Sequence, residues 1–138
     1  MTQLKITNCS DLAKVREGLI QPDQVRSVII EGLVDTGATM LVLPEDVVDQ
    51  VGAPVLGIRR VRDARGIEVE VPWVGDLRIE ILGREMTTDA LVVPAGAQAL
   101  IGQIPLEALD LIVDPKSREV HVNPASPDAP LLDLLGAA

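Results

Sequence analysis

The stretch Leu33-Val34-Asp35-Thr36-Gly37-Ala38-Thr39 places one carboxylate at the end of an apolar run, followed by a small hydroxyl residue and a glycine. An unpaired carboxylate among aliphatic residues is costly. Asp35 is therefore either satisfied by local geometry or placed there to react. The neighbouring residues supply what a reactive carboxylate needs. Gly37 allows the chain to turn sharply, and the N–H groups of a turn stabilise the ionised form. Thr36 brings a hydroxyl that donates one hydrogen bond and accepts another. The chemistry within reach is general-base activation of water. It is best tuned where a second carboxylate stands at contact distance, because such a pair does not ionise twice and shares one proton.

Other reactive residues offer less. His121, in Arg118-Glu119-Val120-His121-Val122, is the only histidine. One histidine builds neither a Ser-His-Asp triad nor an ordinary zinc site, so it reads as a strand residue. Cys9 is the only cysteine; it excludes an intrachain disulfide, fits a reducing compartment and reads as a small hydrophobe. Asp110 and Asp114 flank Leu111-Ile112-Val113 with no ligand cluster around them, and read as strand-end and turn residues. Trp73, beside Pro72, reads as packing. Arg59, Arg60, Arg62 and Arg65 gather basic charge in one segment, either a solvated hairpin or a rim that contacts substrate.

The frame for these residues is small and aliphatic. A length of 138 residues suits one domain with a single core. One Trp, no Phe and no Tyr leave a core of Val, Ile and Leu, whose β-branched share favours strands. A net charge of −9 argues against nucleic acid as a partner. The opening Met-Thr-Gln-Leu-Lys-Ile-Thr-Asn-Cys-Ser has no apolar core of a secretory signal. No stretch approaches the ~18 unbroken apolar residues of a membrane span. The expectation is a cytoplasmic protein with no membrane partner.

Alternation predicts strands over 3–7, 25–35, 67–71, 77–81, 89–93 and 118–122. A short helix is expected with Pro44, Glu45 and Asp46 in its first turn and Gly52 at its end. A second short helix is expected over 105–110. Residues 8–23 are ambiguous, one reading being a helix capped by Ser10 and stopped by Gly18. Val71-Pro72-Trp73-Val74-Gly75-Asp76 predicts a bend or bulge. The expected division is a domain over 1–124 and a tail over 125–138, the tail either loose or packed on a partner.

The opening motif resembles the active-site loop of retroviral-type aspartic proteases, the retropepsin-like family. Leu100-Ile101-Gly102, followed by a short helix, resembles that family's second element, and a hairpin over about 58–72 stands where the family carries its flap. In order and spacing the resemblance covers about residues 25–122 and is closest to small bacterial single-domain members. It implies a mostly-β, single-domain, closed barrel-like fold with a flap hairpin and one or two short helices, completed as a homodimer. Two-lobed pepsin-type enzymes carry two such triplets, whereas this chain has one. An active pair then takes Asp35 from each of two copies across a two-fold axis.

By the same resemblance, Asp35, Thr36 and Gly37 are the catalytic triplet, Thr36 locking the two loops together across the dimer. Ala38, Arg65 and Gly66 contact substrate, the last two from the flap tip. Thr39, Ile101 and Gly102 support the loop. The implied reaction is hydrolysis of a peptide bond in a polypeptide substrate by water activated on the Asp35 pair. It needs no metal, no cofactor and no covalent intermediate. A rival reading is a dimeric module of this fold that binds peptides without cutting them, or an enzyme held latent. The flap departs from the family in its sparser glycines, and the segment 8–23 is longer than in the viral enzymes.

Overall fold

The computed structural model describes residues 1–134, so residues 135–138 of the expected tail lie outside the described residues. The chain is mostly β. Its strands are β1 (Thr2–Asn8), β2 (Ser27–Val34), β3 (Leu41–Pro44), β4 (Val55–Arg62), β5 (Glu68–Ile81), β6 (Arg84–Val93), β7 (Leu100–Ile101), β8 (Leu111–Val113) and β9 (Val120–Val122). Three helices interrupt them, α1 (Cys9–Arg16), α2 (Glu45–Val51) and α3 (Gln103–Ala108). That is one more than the one or two expected, and the addition is α1 in the ambiguous segment.

Seven strands form one sheet in the order β1-β2-β7-β3-β6-β5-β4, and β5 also pairs with β1. Six strands thereby close on themselves, and β4 projects as an arm. The length of β5 makes this arrangement. Its first half pairs with β4, from Glu68 opposite Arg62 to Val74 opposite Val55, while Leu77 to Glu80 pair with β1. The change of partner falls at a bulge between Val74 and Leu77. There Asp76 takes a φ of 55°, and a Cβ on Gly75 would collide with Leu56 and come within 2.8 Å of Asp89 Oδ1. The bend predicted for 71–76 is thus a bulge inside one strand, and the strands expected at 67–71 and 77–81 are its two halves.

The interior is aliphatic, as composition predicts: Leu4, Ile6, Leu41, Leu43, Leu77 and Ile79 are fully buried. Each such side chain contributes about 2 kcal/mol by leaving water. Their spacing follows the two-residue period of strands. A two-residue turn, Leu82-Gly83, joins β5 to β6, both residues taking positive φ, as tight hairpins of this hand require.

The helix ends are set by tertiary contacts as much as by local signals. The cap of α1 is Asn8, not Ser10: Asn8 Oδ1 accepts from Asp11 N at 2.9 Å. Asn8 prevails because its amide also donates to Val51 O at 2.9 Å and Gly52 O at 3.2 Å, closing the end of α2. Asp11, 3% exposed, accepts from Arg26 N at 3.0 Å, Nε at 2.9 Å and Nη2 at 3.1 Å. Pro44 immediately precedes α2 rather than lying in its first turn, and Gly52 ends it with φ 70°. The helix expected over 105–110 begins earlier, at Gln103, with Gly102 before it.

Beyond α3, β8 and β9 form a separate two-stranded sheet. Residues 123–131 are tied to the body through Asp110, whose carboxylate accepts from Asn123 Nδ2 at 3.0 Å, Ser126 Oγ and Leu131 N at 3.1 Å. Those donors, Ser126 first, hold the Asp110 carboxyl down at about 2. Buried Arg84 donates to Leu109 O at 3.0 Å, Asp110 O at 2.9 Å and Ser126 O. No helix among the described residues is long and apolar enough to cross a membrane.

The Asp11–Arg26 pair generates a pH-dependent prediction. Hydrogen bonding from the Arg26 side chain lowers the Asp11 carboxyl from 3.8 to about 2, against the opposing effect of burial. A carboxyl depressed by folding stabilises fully above its unfolded value and loses that contribution as pH falls through the folded one. Asp11→Asn should therefore lower stability at neutral pH by about 2 kcal/mol, the scale of a hydrogen bond to a charged group. In chemical denaturation the gap between variant and parent should close as pH falls from near 4 toward 2.

Candidate active site

β2 and β3 are consecutive in sequence, yet β7 lies between them. Leu33 and Val34 stand opposite Leu100 and Ile101 in parallel pairing, and Val42 stands opposite Leu100 in antiparallel pairing. The loop 35–40 must therefore cross the end of β7, and it takes over the hydrogen bonds that β7 leaves open. Asp35 N donates to Ile101 O at 3.0 Å. At the start of α3, Gln103 N donates to Ala38 O at 2.8 Å and Ile104 N to Thr39 O at 2.9 Å. These are first-turn N–H groups with no partner inside the helix. Gly102 is required by proximity, since a Cβ there would collide with Met40 O and sit 2.7 Å from Ala38 O.

Within the loop, Ala38 N donates to Asp35 O at 3.1 Å, and Gly37 N donates to Asp35 Oδ1 at 2.9 Å. The carboxylate is half-buried, and its Oδ2 takes no part in the hydrogen bonds of the loop. Exposed Thr36 takes no part in them either.

The carboxylate opens into a cleft of about 860 Å3. Asp35, Gly37, Ala38, Thr39 and Met40 line one side, and Val42, Leu91, Val93 and Leu100 give an apolar floor. The β4–β5 hairpin supplies the opposite wall, from Arg59 to Ala64 with Val69 and Val71. Of the residues singled out in the sequence, Asp35, Gly37, Ala38 and Thr39 meet Arg59, Arg60 and Arg62 of the basic segment at the cleft. Ile101 and Gly102 lie behind the loop, and Thr36 stands outside the cleft lining.

Arg65 and Gly66 occupy the hairpin tip and are not among the cleft-lining residues. The tip is tightly organised. Asp63 accepts from Arg65 N at 2.9 Å and Ile67 N at 3.0 Å through one oxygen, and from Arg65 Nε at 3.1 Å and Nη2 at 2.7 Å through the other. The Arg65 side chain and then the Ile67 amide hold the Asp63 carboxyl below its ordinary range. Gly66 has φ 80°, a conformation that suits glycine.

Within the basic segment read from the sequence as a solvated hairpin or a substrate rim, Arg59 stands apart, stacking on Trp73 at 3.6 Å from the ring centroid. Strand alternation held the signal. Arg59, Val61, Val69, Val71 and Trp73 share one face, given the pairing of Arg59 with Val71 and of Val61 with Val69. His121 is an exposed strand residue 3.4 Å from Glu119. Burial raises the Cys9 thiol, away from the cleft. Among the described residues no three His, Cys, Asp or Glu side chains converge as a metal site. The chain matches no family model and no curated protein.

Gly102→Ala should cost about 2 kcal/mol by overpacking and loosen the loop, since the φ of −87° imposes no penalty of its own. Amide exchange should accelerate over residues 35–40. Gly66→Ala has no atom within 4 Å of the new Cβ, so it should cost about 1 kcal/mol from its left-handed backbone alone. Its amide-exchange effect should stay at the hairpin tip.

Proposed function

We propose that this chain is one half of an aspartic endopeptidase, in which Asp35 from each of two copies forms a proton-sharing pair that activates water. The observation that carries the reading is the Asp35 carboxylate itself, fixed by the Gly37 N–H at 2.9 Å and opening on the cleft. The motif resemblance adds the pairing across two chains. A chain that presents one such carboxylate needs a second copy to supply the other.

The roles follow from the shared proton. The ionised member of the pair takes a proton from water as it attacks the scissile carbonyl, and the protonated member donates to the carbonyl oxygen. The tetrahedral intermediate then collapses with protonation of the leaving amine. Ala38 and Thr39 border the substrate, the aliphatic floor accepts apolar side chains of an extended peptide, and the hairpin covers it. Thr36 is exposed and unused by its own loop, which supports a role in bonding the partner's loop.

The test combines mass and cleavage. Sedimentation should give twice the chain mass. Incubation with a mixture of unfolded proteins from acid to neutral pH, read by mass spectrometry, should reveal defined cleavage sites. Asp35→Asn should keep the fold and dimer while lowering cleavage by about a thousandfold, the scale of acid–base catalysis. A strict monomer that cleaves at every dilution, or a fully active Asp35→Asn protein, would overturn the proposal.

A further inference from the structure

We propose that Arg59, stacked on Trp73 at the cleft, forms a carboxylate-binding subsite that makes the protein select peptides bearing an acidic side chain beside an aliphatic segment. The proposal rests on the cleft being a peptide site and names the class of peptide it takes.

Four observations converge on this residue. First, Arg59 lines the cleft together with Asp35 and the aliphatic floor. Arg60 and Arg62 also border the cleft, but alternation sets them on the face of Glu70 and Glu68, which stand across from them in register, whereas Arg59 shares the face of Val61, Val69 and Val71. Second, its guanidinium lies 3.6 Å from the Trp73 ring centroid. Stacking of this kind orients the planar group while leaving the N–H donors at its edge available.

Third, most arginines around the fold are engaged, and Arg62, which also borders the cleft without an ion pair, has no aromatic ring among the described residues to orient it. Arg26 is held by Asp11, Arg65 by Asp63 at 2.7 Å, and Arg84 by three carbonyls. Arg60 lies 3.9 Å from Glu68 and Arg78 lies 3.9 Å from Glu85. Arg59 has neither an ion pair nor a hydrogen bond among the described residues. Fourth, the other acid lining the cleft, Asp63, has both oxygens committed to the hairpin tip. A fixed guanidinium with open donors beside an apolar groove matches a carboxylate, which accepts two parallel N–H bonds.

The indole gives a direct readout, because Trp73 is the only tryptophan and the chain has no tyrosine. Blocked aliphatic octapeptides with one glutamate, glutamine or lysine moved through each position can be titrated against the full chain carrying Asp35→Asn. Trp73 fluorescence then reports binding without turnover. At one position the glutamate peptide should bind about tenfold more tightly than the glutamine peptide, the order of one charge-assisted pair at an open rim. Adding Arg59→Gln should abolish that preference, Arg59→Lys should keep only part of it, and Arg59→Glu should turn it toward lysine. Arg59 is exposed, so these changes leave the core untouched, and unchanged thermal melting would verify it.

Equal binding of glutamate and glutamine peptides at every position, absence of any binding, or a preference that survives Arg59→Gln would overturn the subsite. Failure of the parent protein to cleave would overturn the endopeptidase and leave these binding results standing.

Discussion

The candidate site depends on β7 filling the gap between β2 and β3. Consecutive strands usually lie side by side. Here two residues, Leu100 and Ile101, separate them and make hydrogen bonds on both edges. The connecting loop is forced across the end of the inserted strand, and Asp35 is the first residue past β2. Two glycines make the approach close enough. A Cβ on Gly32 would press within 2.9 Å of Ile101 Cδ1, and one on Gly102 would enter the space of the loop carbonyls. The carboxylate is therefore positioned by backbone on three sides, and its own side chain needs only the Gly37 N–H.

The opposite wall of the cleft has a different origin. β5 spends its second half closing the ring with β1 and its first half carrying β4 outward, and the bulge at Val74–Leu77 separates the two tasks. The hairpin beyond the bulge is stiff at its tip, where Asp63 binds two amides and the Arg65 side chain. Its base is irregular, with a register shift between Val55 and Gly57.

Local signals in the sequence were sufficient where the physics is local. Aliphatic alternation located several strands, the acidic first turn and Gly52 located α2, and residue type marked the Asp35 loop, whereas Ile101-Gly102 was marked only by the family resemblance. What escaped depends on contacts distant in sequence. Ser10 is as good a cap as Asn8 by propensity, but only Asn8 reaches the carbonyls of Val51 and Gly52. Asp110 is a turn residue at the start of β8, as its position in the sequence suggests, but residue type did not show that it gathers Asn123, Ser126 and Leu131. The hairpin arginines read alike in the sequence, as one basic segment, but pairing through Asp63 and stacking on Trp73 distinguish Arg65 and Arg59 from their neighbours.

The charge distribution bears on how an acidic peptide would reach such a subsite. A chain of net charge −9 repels acidic peptides at long range, which slows their encounter. That field is screened over about 8 Å at physiological salt, whereas a stacked guanidinium acts at contact. The two effects therefore fall on different rates. Repulsion would act on association, and a bidentate pair at Arg59 would act on dissociation, where most affinity differences between related complexes arise. Added salt would relieve the first more than the second, because a pair in contact is separated by less than one screening length. Selectivity for acidic peptides would then persist at ionic strengths that erase the chain's general repulsion, which separates recognition by one placed arginine from attraction by a diffuse basic surface.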